Sequence, residues 1–131
     1  DRMRKYETRV IPYGARHFLQ LGDYKVIHGI NGGVNATRQH AATYGNVFHG
    51  HTHHIESTPF PHLGGARGVA VGCLCRLEMD YNKAHATSLR QAHGWVYGRV
   101  LPSGGLVWWQ AQKVDGVWHL PSEMVTIGGR A

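Results

Sequence analysis

The alternation of apolar and polar residues predicts a chain that is built mostly of strands. In the first 29 residues, apolar or alternating runs separated by Gly and Pro predict strands over residues 8–14, 15–22 and 23–29. Further strands are predicted over residues 46–50 and within 65–79. A hairpin is predicted from strands 95–101 and 106–114, joined by a Pro-Ser-Gly-Gly turn, and a last strand over 117–119 follows an Asp-Gly turn.

One segment has the features of a helix at both ends. Asn35 can cap a helical run over Ala36–Tyr44, and Gly45 is a typical stop signal. Because this helix lies between two predicted strands, residues 23–50 form a strand–helix–strand unit, the usual crossover between parallel strands. A helical turn is also predicted over residues 84–92. The pattern therefore predicts a strand-rich α/β fold in a single domain over residues 1–131.

Composition agrees with one compact domain. The chain has 131 residues, of which 42% are hydrophobic and 17% charged, so it is too apolar to be disordered. No apolar run reaches the roughly 20 residues that are needed to cross a bilayer, and the opening residues contain no apolar signal-peptide centre. We therefore expect a cytoplasmic protein with no membrane partner.

The chain is basic, with a formal net charge of +6 and a pI near 9.7. Such a charge suits a polyanionic partner such as nucleic acid. However, the basic residues are spread along the chain apart from a cluster in the first five positions, and they do not alternate regularly with aromatic residues. A solvated basic surface is the simpler interpretation, and a phosphate-bearing substrate is compatible with it.

Cys73 and Cys75 lie within a stretch that alternates like a strand. Residues two apart in a strand point to the same face, so the pair could join a metal site. Zinc sites more often use cysteines separated by two to four residues. The favoured interpretation is two buried, small apolar side chains in a reducing cytoplasm.

The segment richest in candidate metal ligands is a histidine loop, residues 49–54, in which four of the six residues are histidines. If the backbone stays extended after the strand, His51 and His53 leave the same face, and His28 ends the neighbouring parallel strand. We therefore predict a metal site of His28, His51 and His53. In an extended segment, His49 and His54 would point to the opposite face, so they are not expected to be ligands. The remaining histidines lack a partner at ligand spacing and are expected at the surface or in the core: His17, His40, His62, His85, His93 and His119.

The segment "VIHG" followed by "NVFHGHTH" is similar to the C-terminal half of the calcineurin-like metallophosphoesterases, and most similar to the small phage and prophage members. The order of "VIPYGARHFLQLGDYKVIHG", "GHTHHIES" and "VGCLCRLEMDY" extends the resemblance over nearly the whole chain. It implies a two-sheet β-sandwich flanked by helices (αββα) and a centre of two Mn, Fe, Zn or similar ions. It also implies hydrolysis of a phosphomonoester or phosphodiester, with a nucleotide or nucleic acid as one class of substrate. In that centre His28 and His51 would bind one ion, and His53 the other.

The earlier motifs of the family do not occur in this sequence: Asp-x-His, Gly-Asp-x-x-Asp and Gly-Asn-His. The bridging carboxylate, the Asn ligand and the catalytic His of the family thus have no counterpart, and no catalytic residue is assigned. The expectation is the C-terminal half of an enzyme, inactive alone, which pairs with a missing N-terminal half or forms a homo-oligomer. Two alternatives stay open: an inactive binding or assembly module with the same fold, and a basic nucleic-acid-binding domain.

Overall fold

The computed structural model describes residues 6–121, which form two sheets and one α-helix. A five-stranded sheet has the order β1-β2-β3-β5-β4, and a three-stranded sheet has the order β6-β7-β8. The strands are β1 Leu19–Leu21, β2 Tyr24–Ile27, β3 Val47–His49, β4 Ile55–Phe60, β5 Ala66–Val71, β6 Gly94–Val100, β7 Leu106–Val114 and β8 Val117–His119; helix α1 spans Ala36–Tyr44, and a 3-10 helix spans Ala86–Arg90. The predicted strand-rich α/β class is confirmed.

The predicted crossover is also confirmed. Strands β2 and β3 are parallel, with Ile27 opposite His49, and α1 connects them. The helix has the predicted bounds and ends at Gly45, whose positive φ of 78° suits glycine and whose N–H donates to the Ala41 carbonyl. At the other end Asn35 makes no side-chain capping hydrogen bond. Two parallel strands therefore end at the same edge of the first sheet.

Aromatic side chains join the two sheets. Tyr24 and Phe48 stack with ring centroids 4.5 Å apart, and Trp108 of the second sheet packs edge-on against Phe48 at 5.3 Å. The indole Nε1 of Trp108 donates a hydrogen bond of 3.1 Å to the Tyr24 hydroxyl. Burying these rings between the sheets supplies the main apolar core.

The helix covers the opposite face of the first sheet. Its buried residues recur at helical spacing and are Ala36, Thr37, His40, Ala41 and Tyr44. Gly68 of β5 lies under this face, and a Cβ there would collide with the Thr37 carbonyl oxygen and approach the Ala41 Cβ to 3.2 Å. Glycine at 68 thus allows the helix to pack closely on the sheet, in a layer order of helix, sheet, sheet.

One strand prediction near the start is wrong, and a second is too long. Residues 8–14 pair with no strand among residues 6–121, and Val10 and Tyr13 are 67% and 69% exposed. The strand predicted over residues 15–22 is limited to β1, since the chain turns before it, with the His17 N–H bonded to the Gly14 carbonyl.

Other boundaries also differ from the prediction. Strand β4 was not predicted; it contains Pro59, which a strand tolerates at the edge position that β4 occupies. Strand β5 ends at Val71, so the cysteines lie beyond it. The helical turn predicted over residues 84–92 is the shorter 3-10 helix. Within residues 6–121, no helix is long and apolar enough to cross a membrane.

Candidate metal centre

His28 and His51 lie side by side at the shared edge of two parallel strands. His28 directly follows β2, and His51 follows β3 by two residues. Because β2 and β3 are in register at Ile27 and His49, their ends bring the two imidazoles together, with ring centroids 5.2 Å apart and planes inclined by 54°. Both side chains are exposed. The sequence expectation that these strand ends meet agrees with the structure.

Gly29 makes this approach sterically possible. Its φ is 115°, and a Cβ built on it would lie 2.9 Å from the Cβ of His51. The positive φ and the close approach of His51 each disfavour a residue other than glycine at position 29. The His28 Nδ1 lies 3.2 Å from the Gly29 carbonyl oxygen, so Nδ1–H donates to that oxygen. That tautomer leaves the lone pair of Nε2 free for a ligand role.

The backbone of the histidine loop is not extended, which corrects the reasoning that led to His51 and His53. Both residues have positive φ, 67° at His51 and 56° at His53, and the Thr52 N–H donates to the Gly50 carbonyl. The chain therefore turns at each of these histidines. Their positions are therefore set by the turn and not by alternation along a strand.

The structure groups the His53 side chain with the two cysteines. Burial lowers its pKa, and the neighbouring imidazoles of His51 and His28 lower it further. His53 is thus held in the neutral form that coordinates metals. Its Nδ1 lies 3.8 Å from the Sγ of Cys75.

The donor atoms nearest to one another are not those of the three predicted histidines. Among residues 6–121, the group of three whose donor atoms all lie within 4.8 Å of one another is His53, Cys73 and Cys75. The expectation of two buried cysteines is wrong, because the chain turns at Gly72, with φ 82°, and leaves Cys73 half-buried and Cys75 exposed. Burial and the neighbouring Cys75 thiol raise the pKa of Cys73 to about 11.

His49 and His54 belong to a buried polar cluster that also contains Thr37 and Glu56. They are 1% and 4% exposed. The His49 Nε2 lies 3.1 Å from the Thr37 hydroxyl oxygen, and the His54 Nε2 lies 2.7 Å from a carboxylate oxygen of Glu56. The Thr37 hydroxyl donates to the same oxygen at 2.9 Å. Although burial alone would raise the pKa of Glu56, these hydrogen bonds and one from Thr58 lower it.

His40 of helix α1 forms hydrogen bonds with the loop that follows His28. Its Nε2 accepts hydrogen bonds from the backbone N–H groups of Ile30 and Asn31, at 3.0 and 3.1 Å, and so fixes the loop that follows His28. Its ring lies 4.2 Å from that of His49, and burial, with His49 and His51 nearby, lowers its pKa to about 4. Its place on the buried face of α1 could have been inferred from helical spacing with Thr37 and Tyr44.

Imidazole ligands suit divalent ions such as Fe and Zn and bind Mn more weakly. His28, His51 and His53 fit this chemistry, because one has a free Nε2 and one is held neutral by its surroundings. Comparison with known proteins identifies no relative: no family model matches the chain, and no curated protein or solved structure matches it.

Proposed function

We propose that the chain forms part of a metal-dependent phosphoesterase of the calcineurin-like type, related to the small phage and prophage members. Its substrate would be a phosphomonoester or phosphodiester, and the net charge of +6 favours a polyanionic one such as a nucleotide or nucleic acid. The observation that carries the proposal is the pairing of His28 with His51, 5.2 Å apart, at the end of two parallel strands.

In this proposal His28 and His51 bind one divalent ion through their imidazoles, and His53 binds the second. Bound together, two such ions would clamp the phosphate ester and activate a water molecule for attack. Burial and the neighbouring imidazoles lower the pKa of His53, which favours its neutral, metal-binding form. Gly29 keeps the backbone close to His51, and His40 anchors the loop that follows His28.

The layer order supports the sandwich that the resemblance implies. Helix α1 lies on one face of the first sheet and the second sheet on the other, which accounts for three layers of an αββα sandwich. The alternation along β5 fits this arrangement, since Gly68 faces the helix and Val69 belongs to the core between the sheets.

A second candidate is a metal-binding module without catalysis, and one observation favours it. Among residues 6–121, the compact group of metal donors contains two thiols and an imidazole but no carboxylate. Glu56 is engaged by Thr37, His54 and Thr58. Dinuclear hydrolysis needs acidic ligands to bridge and neutralise the ions, so we expect this chain alone to bind metal better than it hydrolyses.

Titration calorimetry with Mn²⁺ tests the proposal on the 131-residue chain. His28→Ala and His51→Ala should each lower the affinity by more than about 10-fold, because each removes a ligand. His62→Ala is the matched control, since His62 is an exposed histidine after β4, outside the site. It should bind Mn²⁺ as the unsubstituted chain does.

Hydrolysis of an aryl phosphodiester in the presence of Mn²⁺ separates the two candidates. Turnover near background would favour the metal-binding module. Turnover that disappears in His28→Ala but not in His62→Ala would support the phosphoesterase. Mn²⁺ binding that is unchanged in both His28→Ala and His51→Ala would contradict the proposed centre.

A further inference from the structure

Three segments of backbone meet beside His53 and fix the positions of two cysteines relative to it. The Ala92 N–H donates to the His53 carbonyl at 2.8 Å, and the Cys73 N–H donates to the Ala92 carbonyl at 3.1 Å. The Gly94 N–H donates back to the Cys73 carbonyl at 3.1 Å, so that Cys73 pairs with His93 in a parallel bridge. His53 and Cys73 are thus tied to a common segment, whichever rotamers their side chains adopt.

A separate hydrogen bond, from His93, fixes the backbone at Cys75. The His93 Nε2–H donates to the Cys75 carbonyl at 2.9 Å, which folds the chain back after Leu74. The Cys75 Sγ then lies 3.8 Å from the His53 Nδ1. The three donor atoms all lie within 4.8 Å of one another.

These separations are close to those of a tetrahedral zinc site. With Zn–S bonds of about 2.3 Å and Zn–N bonds of about 2.0–2.1 Å, the sulfurs should lie about 3.8 Å apart and each sulfur about 3.6 Å from the nitrogen. The observed distances exceed these values by at most about 1 Å, which side-chain rotation can supply without moving the paired backbone.

We propose that His53, Cys73 and Cys75 form a site for one zinc ion or another thiophilic ion, with the fourth position open to water or an external ligand. Two thiolates and one imidazole are a soft donor set, which selects Zn²⁺ or Cu⁺ over Mg²⁺ or Ca²⁺. Two thiolates also neutralise the charge of a divalent ion, which the His28 and His51 imidazoles do not. On binding, each thiol proton passes to solvent as the metal–sulfur bond forms.

The proposed thiolate site does not depend on the phosphoesterase proposal. The two proposed sites have only His53 in common. If both proposals hold, the His53 ion is bound by thiolates as well and is chemically distinct from the ion at His28 and His51. The protein would then discriminate between metals at its two positions, with a thiophilic ion at one and a harder divalent ion at the other.

Cobalt substitution tests the site, because thiolate ligands give Co²⁺ an intense charge-transfer absorption in the near ultraviolet that imidazole ligands do not give. The reduced, metal-free chain should show this band on addition of one equivalent of Co²⁺. Cys73→Ser and Cys75→Ser should each weaken the band and lower the affinity for Zn²⁺ by more than about 10-fold. Two controls should retain the band: Leu74→Ser, at the exposed residue between the cysteines, and His28→Ala.

A second measurement needs no variant. Zn²⁺ should protect both thiols of the unsubstituted chain from iodoacetamide, and a chelator should restore their reactivity. Absence of the thiolate band, or a band of undiminished intensity in both Cys73→Ser and Cys75→Ser, would overturn the proposal. A thiolate band together with His28-independent Mn²⁺ binding would support this site while contradicting the phosphoesterase centre.

Discussion

The Nε2 of His54 lies 2.7 Å from the Oε2 of Glu56. His54 is 4% exposed, so its N–H has little access to water as an alternative partner. The Thr37 hydroxyl donates to the same carboxylate oxygen and thereby joins helix α1 to strand β4. The pair therefore links the helix layer to the sheet that carries the histidine loop.

Removing this carboxylate should destabilise the fold. In Glu56→Ala the buried His54 N–H and the Thr37 hydroxyl lose their acceptor, which should cost about 1–3 kcal/mol of unfolding free energy. Glu56→Gln keeps an acceptor oxygen and should cost less. Urea unfolding measures both, with Glu78→Ala at an exposed position as the control. Equal stability of Glu56→Ala and Glu78→Ala would contradict a supporting role for the pair.

A methyl group at Gly29 should impair metal binding more than it impairs folding. In Gly29→Ala the new Cβ would meet the Cβ of His51 at 2.9 Å and displace that ligand. Gly33→Ala is a matched control, since its φ of 83° is also positive but no atom lies within 4 Å of the added Cβ. Both variants strain the backbone, and only Gly29→Ala should lower Mn²⁺ affinity in calorimetry. Equal affinities would show that His51 does not depend on Gly29.

The lowered pKa of His40 predicts an acid-sensitive fold. Its folded-state pKa is about 4 and its unfolded value 6.5, so between these pH values the unfolded chain binds a proton that the folded chain does not. Its contribution to stability is complete above pH 6.5 and is lost as the pH falls toward 4, by at most about 1.4 kcal/mol per pH unit.

The variant His40→Gln should reduce the slope of the unfolding free energy against pH by up to the contribution of one proton. Glutamine can accept the hydrogen bonds from Ile30 and Asn31 but does not titrate. Urea unfolding at a series of pH values from 7 to 4 measures the slope. His62→Gln, at an exposed histidine, should leave it unchanged. A His40→Gln slope equal to that of the unsubstituted chain would contradict the assignment.

The two cysteines should differ in reactivity when no metal is bound. Cys75 is exposed, whereas Cys73 is half-buried and its pKa is raised to about 11. Because the thiolate is the nucleophile, iodoacetamide near pH 8 should modify Cys75 first, and the rate at Cys73 should keep rising up to about pH 11. Peptide mass spectrometry after timed alkylation distinguishes the two sites. Faster modification of Cys73 would contradict the environment described for it.

The sequence by itself determined the central unit of the fold. Helical spacing between Asn35 and Gly45 predicted the bounds of α1, and the flanking apolar runs predicted the parallel strands β2 and β3. The position of His28 and His51 after these strands was enough to bring them together, because parallel strands end at the same sheet edge. Local periodicity carries this information, since strand and helix geometry is set by nearby residues.

Only the tertiary structure decided what surrounds His53. The positive φ values of His51 and His53 are not encoded in an apolar pattern, since non-glycine residues rarely adopt them without tertiary contacts. The approach of Cys75 to His53 spans 22 residues of chain and depends on backbone pairing with the segment around Ala92. Residues 8–14 likewise alternate like a strand but find no partner. The pairing of segments that are distant in sequence depends on tertiary packing, and the local sequence pattern does not specify it.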